Sequence, residues 1–201
     1  MYSSRSQILI GFHGCDESVA LQLLNKPKKV KISEKPFDWL GHGFYIWENN
    51  YDRALEWAKD KEKKGKIKNA AVIGVVFTLD YCLDLIDSEF IKMLSAYYEL
   101  MQKDFLSLGE DLPKNKDVKK DEHQDLLIRE LDCAVIEYLH QKIKEAMETD
   151  NTTSIRAFDS ARGVFTEGGP AFPGAGVQKK SHIQICIRNM DCIKGFFLPS
   201  K

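Results

Sequence analysis

Several features that would narrow the function of a protein are missing from this sequence of 201 residues. No apolar run approaches the ~20 residues that a membrane-spanning helix needs, so we expect a soluble protein without a membrane partner. The amino-terminal residues lack the charged and apolar segments of a signal peptide, which predicts a cytoplasmic location. A formal net charge of −1 provides no overall field that would draw the chain onto nucleic acid.

The cysteines and histidines form no pattern of a metal or disulfide site. The five cysteines are an odd number, are scattered, and include no Cys-x-x-Cys pair. His123 and His140 have no metal-ligating residue three or four positions after them. We therefore expect neither a disulfide framework nor a bound metal.

The distribution of apolar residues predicts one α+β domain over residues 1–201. Strands are predicted where apolar residues run together or alternate: 7–13, 44–47, 70–79, 82–85, 155–165, 182–188 and 192–198. Helical spacing follows Asp16 and the pair Asn49-Asn50, and it also covers 87–108 and 121–148. We interpret the last two helices as an insertion at 87–148. The irregular order of strands and helices favours the α+β class over a repeated βαβ series.

Two short motifs carry most of the functional information. The first strand ends in Phe12-His13-Gly14, and some thirty residues later comes Gly41-His-Gly43-Phe-Tyr45, with Ser33 between them. The helix after Tyr45 carries Trp57. In this order and spacing the motifs resemble the NAD-binding core of the ADP-ribosyltransferase superfamily, in the branch shared by diphtheria toxin and the poly(ADP-ribose) polymerases.

The resemblance implies a split β-sheet core and NAD as co-substrate, without a metal. By position, His13 would bond a ribose hydroxyl of the adenosine half, and Tyr45 and Trp57 would hold the nicotinamide ring between them. A cationic ring of this kind favours aromatic faces. Gly14 would let the nicotinamide amide approach the backbone, because glycine has no side chain. Ser33 and Gly43 are further candidate contacts. The resemblance also implies that the strands of His13 and Tyr45 are neighbours, and we expect their side chains to share one cleft.

The third signature residue of this branch, usually a glutamate on a late strand, corresponds to Gln184. A glutamine can align the ribose, but it can neither supply negative charge nor act as a base. Glu167, in the glycine-rich loop before that strand, is either a catalytic carboxylate or a solvated loop residue. Arg162 is a candidate for binding the pyrophosphate, because a guanidinium suits two phosphate oxygens. Arg156 and Arg188 compete with it.

These residues predict an NAD-dependent mono-ADP-ribosyltransferase that transfers ADP-ribose to a macromolecule and releases nicotinamide. The resemblance implies a bacterial toxin or phage-defence effector, with a cognate antitoxin protein as a further partner. Nucleic acid, DNA or RNA, is favoured over protein as the acceptor, because lysines cluster at 26–35, 59–68, 114–120 and 178–180. One alternative is a catalytically inactive module that binds NAD or ADP-ribose, which Gln184 motivates. Another is a protein-interaction domain whose working surface is the helices at 87–148.

Overall fold

The computed structural model describes residues 4–5, 7–118, 122–149 and 155–200. Its strands are β1 (Ser4–Arg5), β2 (Leu9–Asp16), β3 (Phe44–Glu48), β4 (Ala70–Phe77), β5 (Asp80–Asp84), β6 (Asn115–Lys116), β7 (Ile128–Arg129), β8 (Ser160–Phe165), β9 (His182–Ile187) and β10 (Ile193–Phe197). Its α-helices are α1 (Glu17–Asn25), α2 (Tyr51–Lys63), α3 (Ser88–Leu108) and α4 (Glu130–Thr149). None of the described helices is both long and apolar enough to cross a membrane.

One mixed sheet organises the molecule. Its eight strands lie in the order β1-β5-β8-β9-β3-β2-β4-β10. Neighbouring strands run antiparallel except β5 and β8, which are parallel. Helix α1 packs on one face of this sheet, which we name the α1 face. Helices α2, α3 and α4 pack on the other, the α2 face. The α+β class predicted from the order of elements is confirmed.

The two helices expected at 87–148 are present as α3 and α4, between β5 and β8. The second one begins at Glu130, so the predicted start at 121 is wrong. Gln124 and Leu126 have positive φ angles of 55° and 50°, a backbone conformation that no α-helix contains. Residues 119–121 lie outside the described part of the chain. The two-residue ladder of β6 and β7 joins the helices.

Local sequence signals explain how the two helices nearest the motifs begin and pack. Side-chain oxygens of Asp16 and Asn50 accept backbone N–H groups in the first turns of α1 and α2. Ala54 and Ala58 then lie directly against Gly14 of β2, where a Cβ atom would come within 2.2 Å of the Ala54 carbonyl oxygen. The glycine and the two alanines thus allow α2 to pack closely on the sheet.

Candidate active site

The sheet opens between β2 and β3 at the position of the two motifs. The two strands pair over two residue pairs, of which Phe12↔Trp47 is the inner one. Beyond that pair, β2 continues beside β4, and the earlier residues of β3 lie beside β9. We name the gap between His13-Gly14 and Gly43–Tyr45 the split. As the resemblance implied, the strand of His13 and the strand of Tyr45 are neighbours.

Ser33 closes the wide end of the split. Its backbone N–H donates to the Gly43 carbonyl at 2.8 Å, and the Gly43 N–H donates to the Ser33 carbonyl at 3.0 Å. The segment before β3 therefore runs back along the edge that β2 leaves. The structure thus brings together five of the residues proposed from the sequence: His13, Gly14, Ser33, Gly43 and Tyr45.

The backbone of Gly14 presents its polar groups to the split. On the same strand, the Ile10 carbonyl accepts a hydrogen bond from the Asn49 N–H at 3.1 Å, so the polar groups of Ile10 face β3. Alternate residues of a strand present these groups to the same side, which turns the N–H and C=O of Gly14 toward the gap. The missing side chain of Gly14 makes room for the Ala54 carbonyl of α2. Its role in the approach of a ligand stays a prediction.

His13 is neutral and bridges the split. Its Nδ1 lies 2.8 Å from the Tyr45 carbonyl oxygen. Because a carbonyl only accepts, Nδ1 carries the proton and Nε2 keeps its lone pair. Burial lowers the pKa of His13 to about 4, against a smaller upward effect of the Tyr45 bond. In the described part of the chain Nε2 has no hydrogen-bond partner, yet it is not fully buried. It can therefore accept a hydrogen bond from a ligand hydroxyl group.

The side chains of His13 and Tyr45 leave the sheet on opposite faces, so the single cleft that we expected is wrong. The pairing register sets His13 opposite Ile46, and opposed residues share a face. The Tyr45 ring is instead partly buried and packs against the apolar core of the α2 face. Its hydroxyl donates to the Gly41 carbonyl at 2.8 Å and accepts the Leu40 N–H at 3.0 Å. Burial raises the pKa of Tyr45 well above its usual value. His13 therefore meets the backbone of Tyr45, not its ring.

Trp57 lies on the α2 face, the same face as Tyr45. Its ring centroid is 5.6 Å from that of Trp47, and the side chain is 36% exposed. The Lys61 ammonium lies 4.8 Å from the Trp57 ring centroid. A cationic nicotinamide ring that stacked on Trp57 would therefore compete with Lys61 for the aromatic surface.

Gln184 also projects from the α2 face, opposite Trp47 on the neighbouring strand. Its Oε1 accepts a hydrogen bond of 2.6 Å from Nε1 of Trp39. The Trp39 ring rests on Gly163 of β8, where a Cβ would lie 2.7 Å from it. Sequence reasoning missed Trp39, although it belongs to the loop that leads into the second motif. No local pattern could pair it with a residue 145 positions away.

Glu167 lies two residues after the end of β8. It forms an ion pair with Arg53 of α2, and its backbone carbonyl accepts the Lys180 N–H at 3.0 Å. Lys180 belongs to the turn that precedes β9, four positions before Gln184. The side chain of Glu167 is only 16% exposed, and burial raises its pKa. Glu167 is therefore an enclosed, paired carboxylate. It differs from the solvated loop residue that was one of our two interpretations.

Arg162 lies on the α1 face and is already bound by two carboxylates. Its Nε donates to Glu48 at 2.7 Å, and its Nη1 approaches Asp84 at 3.3 Å. The structure therefore does not bring Arg162 together with Tyr45 or Gln184. The two competing arginines also pair with carboxylates, as Arg156–Asp159 and Arg188–Glu137.

Asp38 is a carboxylate that the sequence reasoning passed over. Its Oδ2 accepts the Lys35 N–H at 2.7 Å, and Ser33 at the wide end of the split also interacts with it. Burial raises the pKa of Asp38, and its charge is close enough to contribute to the raised pKa of Tyr45. Asp38, and not Glu167, is thus the carboxylate that the fold brings to the mouth of the split.

Two surface cavities lie elsewhere in the molecule. One of about 320 Å³ is lined by Tyr98, Phe105 and Leu112, and one of about 580 Å³ lies between the start of α1 and Lys66–Asn69. Within the described ranges, no three His, Cys, Asp or Glu side chains are grouped as metal ligands.

Comparisons with known proteins identify no relative. No family model matches this sequence, and neither the curated proteins nor the solved structures contain a match. A function for the chain has therefore to be argued from its own residues.

Proposed function

We propose that this protein is an NAD-dependent mono-ADP-ribosyltransferase. The observation that carries the proposal is the split between β2 and β3. His13 there offers a neutral acceptor nitrogen, and the backbone of Gly14 directs a donor and an acceptor into the same gap. Both belong to the motif whose resemblance to the superfamily suggested NAD.

The groups around the split fit the two halves of NAD. A carboxamide needs one acceptor and one donor, which the Gly14 backbone offers, and a ribose hydroxyl can donate to Nε2 of His13. The aromatic contacts for nicotinamide lie on the α2 face, at Tyr45 and Trp57. Because His13 and these rings lie on opposite faces, the dinucleotide would lie across the split.

The reaction breaks the bond between C1′ of the ribose and the nicotinamide nitrogen. The bonding electron pair leaves with nicotinamide and neutralises its ring, and an acceptor nucleophile forms the new bond to C1′. The nucleophile's proton passes to solvent or to a base. Neither Gln184 nor neutral His13 supplies negative charge to the developing cation. The carboxylate that we propose for stabilising this cation is Asp38, at the mouth of the split.

Nucleic acid remains our favoured acceptor. Two of the lysine-rich segments border the proposed site, since Ser33 belongs to 26–35 and Lys61 to 59–68. Cationic side chains near a cleft favour a phosphate backbone over a neutral protein surface. The resemblance adds the setting of a toxin or phage-defence effector with a cognate antitoxin.

One observation favours a second function, that of a module that binds NAD or ADP-ribose without reacting. The oxygen of Gln184, which would correspond to a catalytic glutamate oxygen, is bound to Trp39. A site of this kind can hold the ligand without stabilising a positive charge on the ribose.

The proposal is tested with purified protein and NAD, in the presence of single-stranded DNA, RNA or a protein extract. We expect nicotinamide release that depends on one acceptor, and its loss in His13→Ala and Tyr45→Ala. Tyr98→Phe, far from the split, serves as the matched control. Binding of NAD in calorimetry without any release would support the binding module. The absence of both binding and release would reject NAD as a ligand.

A further inference from the structure

The side-chain amide of Gln184 has a defined orientation. An indole N–H can only donate a hydrogen bond, so the amide atom facing Trp39 must be the oxygen. This removes the usual ambiguity between the oxygen and nitrogen of a glutamine side chain. At 2.6 Å the bond is short for an N–H donor, and Trp39 itself is held against Gly163.

Gln184 lies next to β3, the strand that borders the split. It is opposite Trp47, and Tyr45 and Trp47 share the α2 face with it. Among the described residues Nε2 has no hydrogen-bond partner, and it is not fully buried. Two N–H donors are therefore free to meet a ligand.

We propose that Trp39 is a positioning residue, which fixes Gln184 as a hydrogen-bond donor to an oxygen of the bound dinucleotide. This inference rests on the proposed function. The oxygen that Gln184 recognises is one with free lone pairs, such as a ribose or phosphate oxygen. Gln184 therefore selects a ligand atom that accepts a hydrogen bond. A glutamate at this position would instead select a hydroxyl group that donates one.

The test is a double-mutant cycle on ligand affinity, measured by calorimetry with NAD and with ADP-ribose. We expect Gln184→Ala to weaken binding about fivefold, the scale of one hydrogen bond near 1 kcal/mol. Trp39→Phe keeps a ring over Gly163 but loses the N–H, and it should weaken binding about threefold. The double variant should bind like Gln184→Ala, because Trp39 acts through Gln184. Additive losses would mean that Trp39 acts independently, and would overturn the inference.

The Gln184→Glu variant tests whether the ligand needs a hydrogen-bond donor or a hydrogen-bond acceptor at this position. A carboxylate can still accept from Trp39, but it would set a second acceptor against the ligand oxygen. We therefore expect ADP-ribose, which lacks the cationic ring, to bind at least about tenfold more weakly to this variant. Unchanged or tighter binding of ADP-ribose would show that the site needs an acceptor, and would refute the donor role.

A third measurement covers the case in which Trp39→Phe fails to fold. In the nuclear magnetic resonance spectrum of the wild-type protein, the Gln184 amide protons should shift when ADP-ribose is added. The Trp39 indole proton should shift in Gln184→Ala even without ligand. Failure of the wild-type protein to bind either ligand would reject the proposed function and this inference together. Binding that leaves the Gln184 amide unshifted would reject this inference alone.

Discussion

Acidification from pH 7 to pH 5 is expected to destabilise the fold strongly, because three histidines are buried in their neutral form. Burial lowers the pKa values of His13, His140 and His182 to about 4. In the unfolded chain a histidine titrates near 6.5. Below pH 6.5 the histidines of the unfolded state bind protons, whereas those of the folded state do not. The contribution of the neutral histidines to the free energy of unfolding is complete above pH 6.5. It decreases as the pH falls, and the decrease ends near pH 4.

The magnitude follows from the width of this window. At pH 5 each histidine lies about 1.5 pH units below its unfolded pKa, and one unit corresponds to about 1.4 kcal/mol. Each histidine therefore lowers the free energy of unfolding at pH 5 by about 2 kcal/mol, and the three together lower it by about 6 kcal/mol. A domain of this kind has a total stability of about 5–15 kcal/mol, so the loss is a large part of it.

Urea unfolding followed by tryptophan fluorescence at pH 7, 6 and 5 measures this loss directly. The dependence on urea should keep its slope while the midpoint falls. His140→Leu should remove about a third of the pH dependence, because it removes one of the three neutral rings. The Nε2 atom of His140 is buried and has no partner among the described residues. A change of less than about 1 kcal/mol between pH 7 and pH 5 would contradict the burial argument. So would histidine resonances that titrate near the unfolded value.

Substitutions at three residues test the remaining assignments. Tyr45→Ala should weaken NAD binding by roughly 1–3 kcal/mol through the lost ring, as measured by calorimetry, whereas Tyr45→Phe should mainly lower the melting temperature. Arg162→Ala should destabilise the fold by about 3–5 kcal/mol in urea, because two enclosed carboxylates lose their cation. A folded Arg162→Lys with weakened NAD affinity would instead support a pyrophosphate contact. Glu167→Gln should lower the melting temperature by weakening its ion pair with Arg53, with nicotinamide release unchanged. A fall of about 100-fold in release at an unchanged melting temperature would mark Glu167 as a base.

The elements that the sequence predicted are those with a local signature. Apolar runs identified the strands at 44–48, 70–77 and 182–187 to within a few residues, because both faces of this sheet are largely covered. The inserted helices also followed from their spacing, but the start of α4 depended on two residues in a left-handed conformation. Neither Gln124 nor Leu126 is a residue from which such a conformation would be predicted.

The arrangement of the site depended on information that no local pattern contains. The resemblance predicted that the strands of His13 and Tyr45 are neighbours, but a shift of one residue in register exchanges the faces. The Arg162–Glu48 and Arg53–Glu167 ion pairs each join residues 114 positions apart, and the Arg162–Asp84 pair joins residues 78 positions apart. The short hydrogen bond from Trp39 to Gln184 also joins residues that are far apart in the sequence. The sequence therefore predicted which residues gather at the split, and not which side chains face one another.

Backbone pairing at the split is a narrow junction between two parts of the sheet. Strands β2, β4 and β10 lie on one side of it, and the other five strands lie on the other. Two residue pairs join the parts along β2 and β3, whereas eight pairs join β2 to β4. The apolar core on the α1 face contains residues of both parts. A ligand bound across the split would connect the two parts of the sheet, so that they unfold together.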